Sequence, residues 1–444
     1  MKNKIVITYG TFDCIHYGHI RLLQRAKSLG NYLIVGVTSD DFDKSRGKVN
    51  VQQSLMERIE GVRNTGLADK IIVEEYEGQK IDDIKRYDVT TFTVGSDWKG
   101  KFDYLKKYCE VIYLDRTEGI SSSEIRSKRR NTAIGFLGGT QKNIFNKYLK
   151  ECRFVNGADI SGMCIDGYKG NEPKGVRLFD DYSELLGASD AVFIDSMPSQ
   201  HYQDIKKALM SNKHVLCESP LALKKTECEE LLELAKSKEC ILMEAIKTAY
   251  STAYSRLLLL VQSGAIGRVV SINATCTSLL SKKQMENSYT WDSICEWGPT
   301  ALLPVFQVFG IDDFETRFTT FRRDGSKFDY FTKIDINYPF ATATVNVANG
   351  IKAEGDLVIS GDQAYIYVPA PWWKTDYFEL RKENRNDKRY FYQLEGEGIR
   401  YELVMFLRAI ENGKNYSYIE SGVSVAIAEV MENYYSNQNL ISMM

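Results

Sequence analysis

The chain has 444 residues, 43% hydrophobic and 26% charged, with a formal net charge of −2. The length exceeds one ordinary domain, and the composition is that of a soluble globular protein with two or three. The near-neutral charge gives no global reason for binding nucleic acid or a membrane surface, and no apolar run reaches the ~18 residues of a membrane span. Nine cysteines, dispersed from Cys14 to Cys295 without a CxxC pair, suggest reduced thiols and neither a disulfide framework nor a zinc site. The N-terminus enters a strand pattern at once, with no signal-peptide pattern, so a cytoplasmic location is expected.

In chain order, residues 5–23, "IVITYGTFDCIHYGHIRLL", predict a short apolar strand, a tight turn, and a helix starting at the second of two histidines. His16 and His19 are two of only four histidines in the chain. Their three-residue spacing is close to one helical turn, so both imidazoles can face one point beside the helix N-terminus. Free backbone N–H groups and a partial positive charge suit that terminus to a phosphate. Gly10 lets a phosphate approach the backbone, and Gly18 leaves room between the histidines. Strand-like runs "KIVITYG", "YLIVGVTS", "KIIVEE", "TFTVG" and "VIYLD" alternate with helical runs such as "HIRLLQRAKSLG" and "SLMERIEGVRNTG". This pattern predicts a parallel sheet with helices on both faces, its ligands beyond the carboxyl ends of the strands. In "RTEGISSS", Arg116 and Thr117 precede Gly119, after which Ser121, Ser122 and Ser123 open a helix. Hydroxyls and free N–H groups there make a second phosphate or nucleotide site.

GTFDxxHxGHxxLL resembles the first signature of nucleotidyltransferases, specifically the small cytidylyltransferases that activate glycerol 3-phosphate. "RTEGISSS" resembles their second signature, with serines where the family usually has threonines, and "VGSDWKGKFDYLKKYCEVIYLD" between them is similar to the same family. The resemblance implies that CTP and a polyol phosphate are the ligands and that pyrophosphate leaves, the products feeding teichoic-acid-like or capsular polymers. It assigns catalysis to His16, His19, Lys48 and Arg116, the histidines serving the triphosphate and the leaving-group oxygens. Nucleotide and substrate contacts fall on Gly10, Thr11, Phe12, Asp13, Thr117, Gly119, Ile120, Ser121 and Ser122. Arg46 and Lys48, in "KSRGKV", match a basic pair on a mobile loop over the phosphates, although the family more often has two lysines. Arg58 is implied at the acceptor phosphate, although it lies five residues from Arg63 and a surface salt bridge is the competing role. Asp97 and Trp98 are implied in the acceptor pocket. Mg²⁺ is expected with CTP; no metal-ligand cluster is legible, Asp13 being a weak candidate.

The basic run "RSKRR" gives way to a new strand pattern, "TAIGFLGG", which places a boundary near residue 130. Gly138 and Gly139 follow that strand, and Asp159 lies about 20 residues on, the spacing of an acid that holds a ribose hydroxyl. Thr140 and Asn143 stand where the second and third glycines of the dinucleotide fingerprint belong. From about residue 132 to the end, the chain resembles the glucose-fructose oxidoreductase / inositol dehydrogenase family, through stretches including "HVLCESPLA" and "SGAIGRV". The implied organisation is α/β throughout: a Rossmann-like cytidylyltransferase domain at 1–130, a second Rossmann domain at 131–250, and an α+β open-sheet domain at 251–444 for substrate and dimerisation. Period-two runs such as "GDLVISGDQAYIYVP" fit the open sheet.

By this second resemblance Gly138, Gly139, Asp159 and Glu218 would hold NAD(P). The sequence departs from the family where its Glu-Lys-Pro becomes Glu218, Ser219, Pro220, removing the lysine that holds substrate near the nicotinamide. In "CEWGPTALL", Glu296 and Thr300 stand where an acid and the general-acid histidine are expected, and threonine has no pKa suited to proton transfer. Lys247 and Tyr250 are substitute donors; His201 and His214 read as structural. Three roles stay open for this part: a reductase making the polyol phosphate, a dinucleotide or sugar binder without turnover, or a scaffold driving homodimers or higher oligomers. The expected function is cytidylyl transfer from CTP to glycerol 3-phosphate. The alternatives are another acceptor such as ribitol 5-phosphate, or a nicotinamide oxidoreductase with a nucleotide-binding N-terminal domain.

Overall fold

In the computed structural model the chain divides into two units, Met1–Arg130 and Asn131–Met444. The structure describes residues 4–15, 17–39, 51, 53, 55–76, 78–115, 131–138, 142–155, 157–165, 175–285, 291–322, 328–383, 387–392, 394 and 396–443.

All five apolar runs of the first unit are strands: β1 (Ile5–Gly10), β2 (Tyr32–Thr38), β3 (Lys70–Glu74), β4 (Thr91–Gly95) and β5 (Glu110–Leu114). They pair in parallel in the order β3-β2-β1-β4-β5. The central strand is covered on both faces, so it reads as a continuous apolar run. Val6, Leu33, Val35 and Val37 pack with Leu23, Ala26, Ile59 and Val62 of the Tyr17–Ser28 and Leu55–Asn64 helices. Ile7, Tyr9, Ile34, Phe92 and Val94 form a second core with Ile84 of the Gln79–Arg86 helix and with Phe102. Strand order reverses between β1 and β4, and the crevice beyond their carboxyl ends is where such sheets take ligands. The first helix begins at Tyr17, two residues before the start expected from the sequence, so His19 sits in its first turn.

The second unit begins with another parallel sheet: β6 (Thr132–Leu137), β7 (Ala158–Cys164), β8 (Ala191–Ile194), β9 (His214–Glu218) and β10 (Leu242–Ala245). Its order is β10-β9-β8-β6-β7, with the reversal beside β6. A nine-stranded mixed sheet follows, from β11 (Val269–Thr277), β12 (Glu315–Phe321), β13 (Phe331–Asn337), β14 (Thr342–Ala348), β15 (Leu357–Gly361), β16 (Tyr365–Val368), β17 (Tyr377–Arg381), β18 (Lys388–Phe391) and β19 (Leu440–Met443). Its order is β18-β17-β16-β15-β11-β14-β13-β12-β19. Alternate residues such as Ile334, Ile336, Val345, Val347, Ile359 and Ile366 are buried, as the period-two runs require, and the Ser293–Phe309 helix packs against β11 and β14.

The two C-terminal helices return to the five-stranded sheet. Arg400 of the Ile399–Asn412 helix pairs with Glu151 at 2.8 Å, and Glu429 of the Ser421–Tyr435 helix pairs with Lys225 at 2.8 Å. Residues 131–250 and 251–444 are thereby interleaved in one body.

Candidate functional site

In the first unit the turn after β1 is held from three directions. Phe12 has φ +53° and folds its ring back over Gly10, where a Cβ would stand 3.1–3.4 Å from ring carbons. The same ring lies 5.5 Å from the His19 imidazole, tilted by 60°, and gives that histidine a wall to lean on. Cys14 N–H donates to Gln53 Oε1 at 2.7 Å, and Gln53 N–H donates to Asp13 Oδ1 at 2.9 Å. This reciprocal clamp binds the turn to the segment before the Leu55–Asn64 helix.

Arg58 does not stand open to an acceptor phosphate. It is 0% exposed, with Nη1 donating to Thr11 O at 2.7 Å and Thr38 O at 2.8 Å, and Nε donating to Gln53 O at 3.1 Å. One guanidinium therefore fastens the turn after β1, the end of β2 and the segment before the helix. Its planar fork suits that task better than a surface ion pair. Asp13, considered as a metal ligand, is likewise buried and bonded to backbone.

A second polar network closes the ends of β2 and β3. Thr38 Oγ1 donates to Glu74 Oε2 at 2.9 Å, Glu74 pairs with the buried Lys80, and the Lys80 ammonium lies 4.7 Å from the Tyr9 ring centroid. Tyr9 donates to Asp83 Oδ2 at 2.8 Å; burial, and then the Asp83 charge, push its pKa above the usual tyrosine range. Lys80 and Asp83 belong to the helical stretch "QKIDDIKR", whose polarity gives no sequence signal for burial.

The Ser96–Trp98 turn, which includes Asp97, follows β4 directly. Trp98 is half-buried, with its ring 5.7 Å from Phe102 and the Lys101 ammonium 5.0 Å from its centroid. His16, Arg46, Lys48, Arg116, Thr117, Gly119, Ile120, Ser121 and Ser122 lie outside the described residues.

In the second unit Gly138 follows β6 with φ +110°, and a Cβ there would come within 2.3 Å of the Asp195 carbonyl. Only glycine permits that approach of two backbones. Gly139 lies outside the described residues. The role expected for Asp159 is corrected. It is the second residue of β7, paired in register with Ala133 at the start of β6, and it accepts from Asn131 Nδ2 at 3.0 Å. A ribose-binding acid belongs at the carboxyl end of that strand, the opposite edge of the sheet.

Glu218 ends β9 at the carboxyl edge. Burial raises its pKa to about 8, partly opposed by the Lys247 charge and a hydrogen bond with Tyr148. Tyr148 in turn bonds the buried Glu402. Ser219 turns its hydroxyl to Glu244 and supplies no cation. Tyr250 is corrected as a proton donor: it is interior, paired with Ser417 at 2.9 Å and stacked on Tyr418. Glu296 accepts from Asn349 Nδ2 at 2.7 Å, and Thr300 lies one turn further along the Ser293–Phe309 helix. His201 is structural, its ring nitrogens 2.7 Å from Pro220 O and 2.9 Å from Ser196 O.

The first unit thus has the form of a parallel α/β nucleotide-binding domain with a braced glycine turn at its switch point. The family described as cytidylyltransferase-like matches residues 7–128. A glycerol-3-phosphate cytidylyltransferase of Bacillus spizizenii is 52% identical over 123 residues, covering 28% of this chain and 95% of the relative. One from Staphylococcus aureus is 47% identical over 129 residues, covering 28% and 94%. The chain belongs to the cytidylyltransferase-like family through this unit.

In the second unit, an oxidoreductase family with an NAD-binding Rossmann fold matches residues 164–246. The fold is that of KijD10, a 3-ketoreductase from Actinomadura kijaniata solved with NADP and TDP-benzene (TM-score 0.63, 15% identity, 71% of this chain and 100% of that one). It is also that of a UDP-N-acetylglucosamine 3-dehydrogenase from Acidithiobacillus ferrooxidans (TM-score 0.57, 14% identity, 68% and 96%). Among the described residues, no helix is long and apolar enough to cross a membrane.

Proposed function

We propose that the first unit joins CTP and glycerol 3-phosphate to give CDP-glycerol and pyrophosphate. The observation that carries this is the match to 95% of the length of a glycerol-3-phosphate cytidylyltransferase at 52% identity. An acceptor phosphate oxygen attacks the α-phosphorus of CTP in line; the bond to the β-phosphate oxygen breaks, and pyrophosphate leaves. Catalysis of this kind is mostly positioning and charge neutralisation. His16 and His19 serve the triphosphate and leaving-group oxygens, and Arg46, Lys48 and Arg116 neutralise phosphate charge. Thr117, Gly119, Ile120, Ser121 and Ser122 hold the nucleotide; Asp97 and Trp98 line the acceptor pocket. Arg58 is a positioning residue that fixes the turn. Mg²⁺ enters with the triphosphate, as is usual for such substrates. The test is pyrophosphate release from CTP with glycerol 3-phosphate, ribitol 5-phosphate and glycerol. Glycerol 3-phosphate should give the highest kcat/KM; release with no polyol phosphate sinks the proposal.

The second unit is assigned a nicotinamide dinucleotide at the carboxyl edge of β6 and β8. The match of residues 164–246 to an NAD-binding Rossmann family supports this, and the strand order reverses between β6 and β8, where such sheets take ligands. Such a cofactor supplies hydride chemistry when bound. Quenching of NADH or NADPH fluorescence by the full chain is the expected result; no quenching by either nucleotide opposes it. The exposed face of the nine-stranded sheet is the proposed homodimer surface, checked by sedimentation. Nine free thiols accord with a reducing, cytoplasmic setting.

A further inference from the structure

Three lysines of the second unit converge on one carboxylate. Lys247 Nζ is 2.6 Å and Lys147 Nζ 2.8 Å from Glu397 Oε2, and Lys374 Nζ is 3.7 Å from Oε1. They arrive from three separate elements: the Lys142–Cys152 helix, the turn after β10, and the Trp372–Lys374 turn after β16. Among the described residues none of the three makes an ion pair with any other carboxylate. Three ammoniums against one carboxylate leave a surplus of positive charge, which repels itself unless a further anion joins it.

The neighbouring acids do not remove that surplus. Burial raises the pKa of Glu218 to about 8 and pushes that of Glu402 up as well, so both acids offer less negative charge here than exposed glutamates would. Burial also lowers the pKa of Lys247, so the lysine at the floor of the cluster gains most from an added negative charge. The cluster is graded from rim to floor: Lys147 and Lys374 side chains are 41% and 40% exposed, and Lys247 only 16%. It lies beyond the carboxyl ends of β9 and β10, the edge where parallel sheets take ligands. Glu397 is pinned there by its neighbour, since a Cβ on Gly398 (φ +93°) would meet the Lys247 carbonyl oxygen at 2.4 Å.

We propose that Lys147, Lys247 and Lys374 form a binding site for the phosphate of a small phosphate monoester, with Glu397 as the internal anion it competes against. A phosphate offers one oxygen to each compact ammonium, with no need for the planar match an arginine would give. The inference uses the geometry of the second unit alone and does not depend on cytidylyl transfer. A small phosphate monoester is also the class of acceptor assigned to the first unit, so a reaction here would supply that acceptor.

The test is calorimetric titration of the full chain with inorganic phosphate, dihydroxyacetone phosphate and dihydroxyacetone. The expected result is a site where the phosphorylated ketone binds at least tenfold tighter than dihydroxyacetone, a preference lost in Lys374→Gln and in Lys147→Gln. Phosphate held by the first unit is unaffected by these two rim substitutions, so the difference isolates this site. Glu397→Gln should tighten phosphate binding at least threefold by removing the competing carboxylate. If the lysines only latch Glu397 in place, that variant gains nothing, and the proposal fails. It fails equally if binding ignores both lysine substitutions. Saturating NADP⁺ should leave phosphate binding intact; its abolition would give the site to the dinucleotide and overturn the monoester.

Discussion

Both units place a glycine at the carboxyl end of the first strand of a parallel sheet, but they use the room differently. At Gly10 the space is taken by the Phe12 ring, and at Gly138 by the Asp195–Ser196 backbone. Charge is handled differently too. In the first unit Arg58 meets three carbonyls and Lys80 meets Glu74, so buried cations become braces for the loops around the crevice. In the second, three lysines share Glu397 while burial disfavours the charged forms of Glu218 and Glu402. The same sheet edge can support a closed polar frame or an unbalanced charge. The first favours precise positioning, the second recruitment of an anion.

The largest effect separating the two should come from Arg58→Met. It orphans three buried carbonyl interactions and should cost the first unit about 4 kcal/mol, a loss of one to three per unsatisfied group being usual. Hydrogen exchange of the β1 and β2 amides measures this, whereas Lys374→Gln should leave the second unit within about 0.5 kcal/mol of wild type. Equal, small effects would erase the distinction between brace and rim.

Next is His19→Ala, expected to cut cytidylyl transfer by roughly two powers of ten, the scale of a lost transition-state charge contact. Pyrophosphate release measures it, and near-wild-type turnover would remove the histidine from catalysis.

The third effect is the pH dependence of the second unit. Glu218 is raised to about 8, so folding takes up a proton between the ordinary carboxylate pKa and that value. Its contribution should therefore weaken as pH rises through that window, by up to ~1.4 kcal/mol per pH unit. Denaturant unfolding at pH 5 to 8 should show this decline in wild type and a flatter profile in Glu218→Gln.

The smallest runs the other way. The paired lysines hold Glu397 down to about 2 against the opposing effect of burial. Its stabilisation is present above the ordinary glutamate pKa and is lost as pH falls toward 2, modestly because the side chain is partly exposed. Acid unfolding of Glu397→Gln should be shallower than that of wild type; a steeper loss would argue against the pairing.

The strands were legible because the central strands are buried and leave nearly unbroken apolar runs, as in "IVITYG" and "TAIGFL". The crevice of the first unit was legible because its turn is local in sequence. What escaped is non-local. Arg58, Lys80 and Asp83 look like surface charges in polar helical runs; Thr38 and Thr11 hold Arg58 from 20 and 47 residues away, Tyr9 holds Asp83 from 74, and Lys80 pairs with Glu74 at the end of β3. Gln53 gave no signal because its clamp joins segments about 40 residues apart. Asp159 was misplaced because counting residues from a glycine turn does not reveal where a strand begins. Tyr250 looked like a donor until Ser417, 167 residues away, was seen to hold its hydroxyl inside.

The tight seat of Gly398 on the Lys247 carbonyl has a use beyond this molecule. A side chain at that point would lift the start of the Ile399–Asn412 helix and carry Glu397 out of reach of its lysines. In other fused chains of this architecture, a non-glycine there should therefore coincide with loss of the basic trio, a covariation that can be counted before any protein is made.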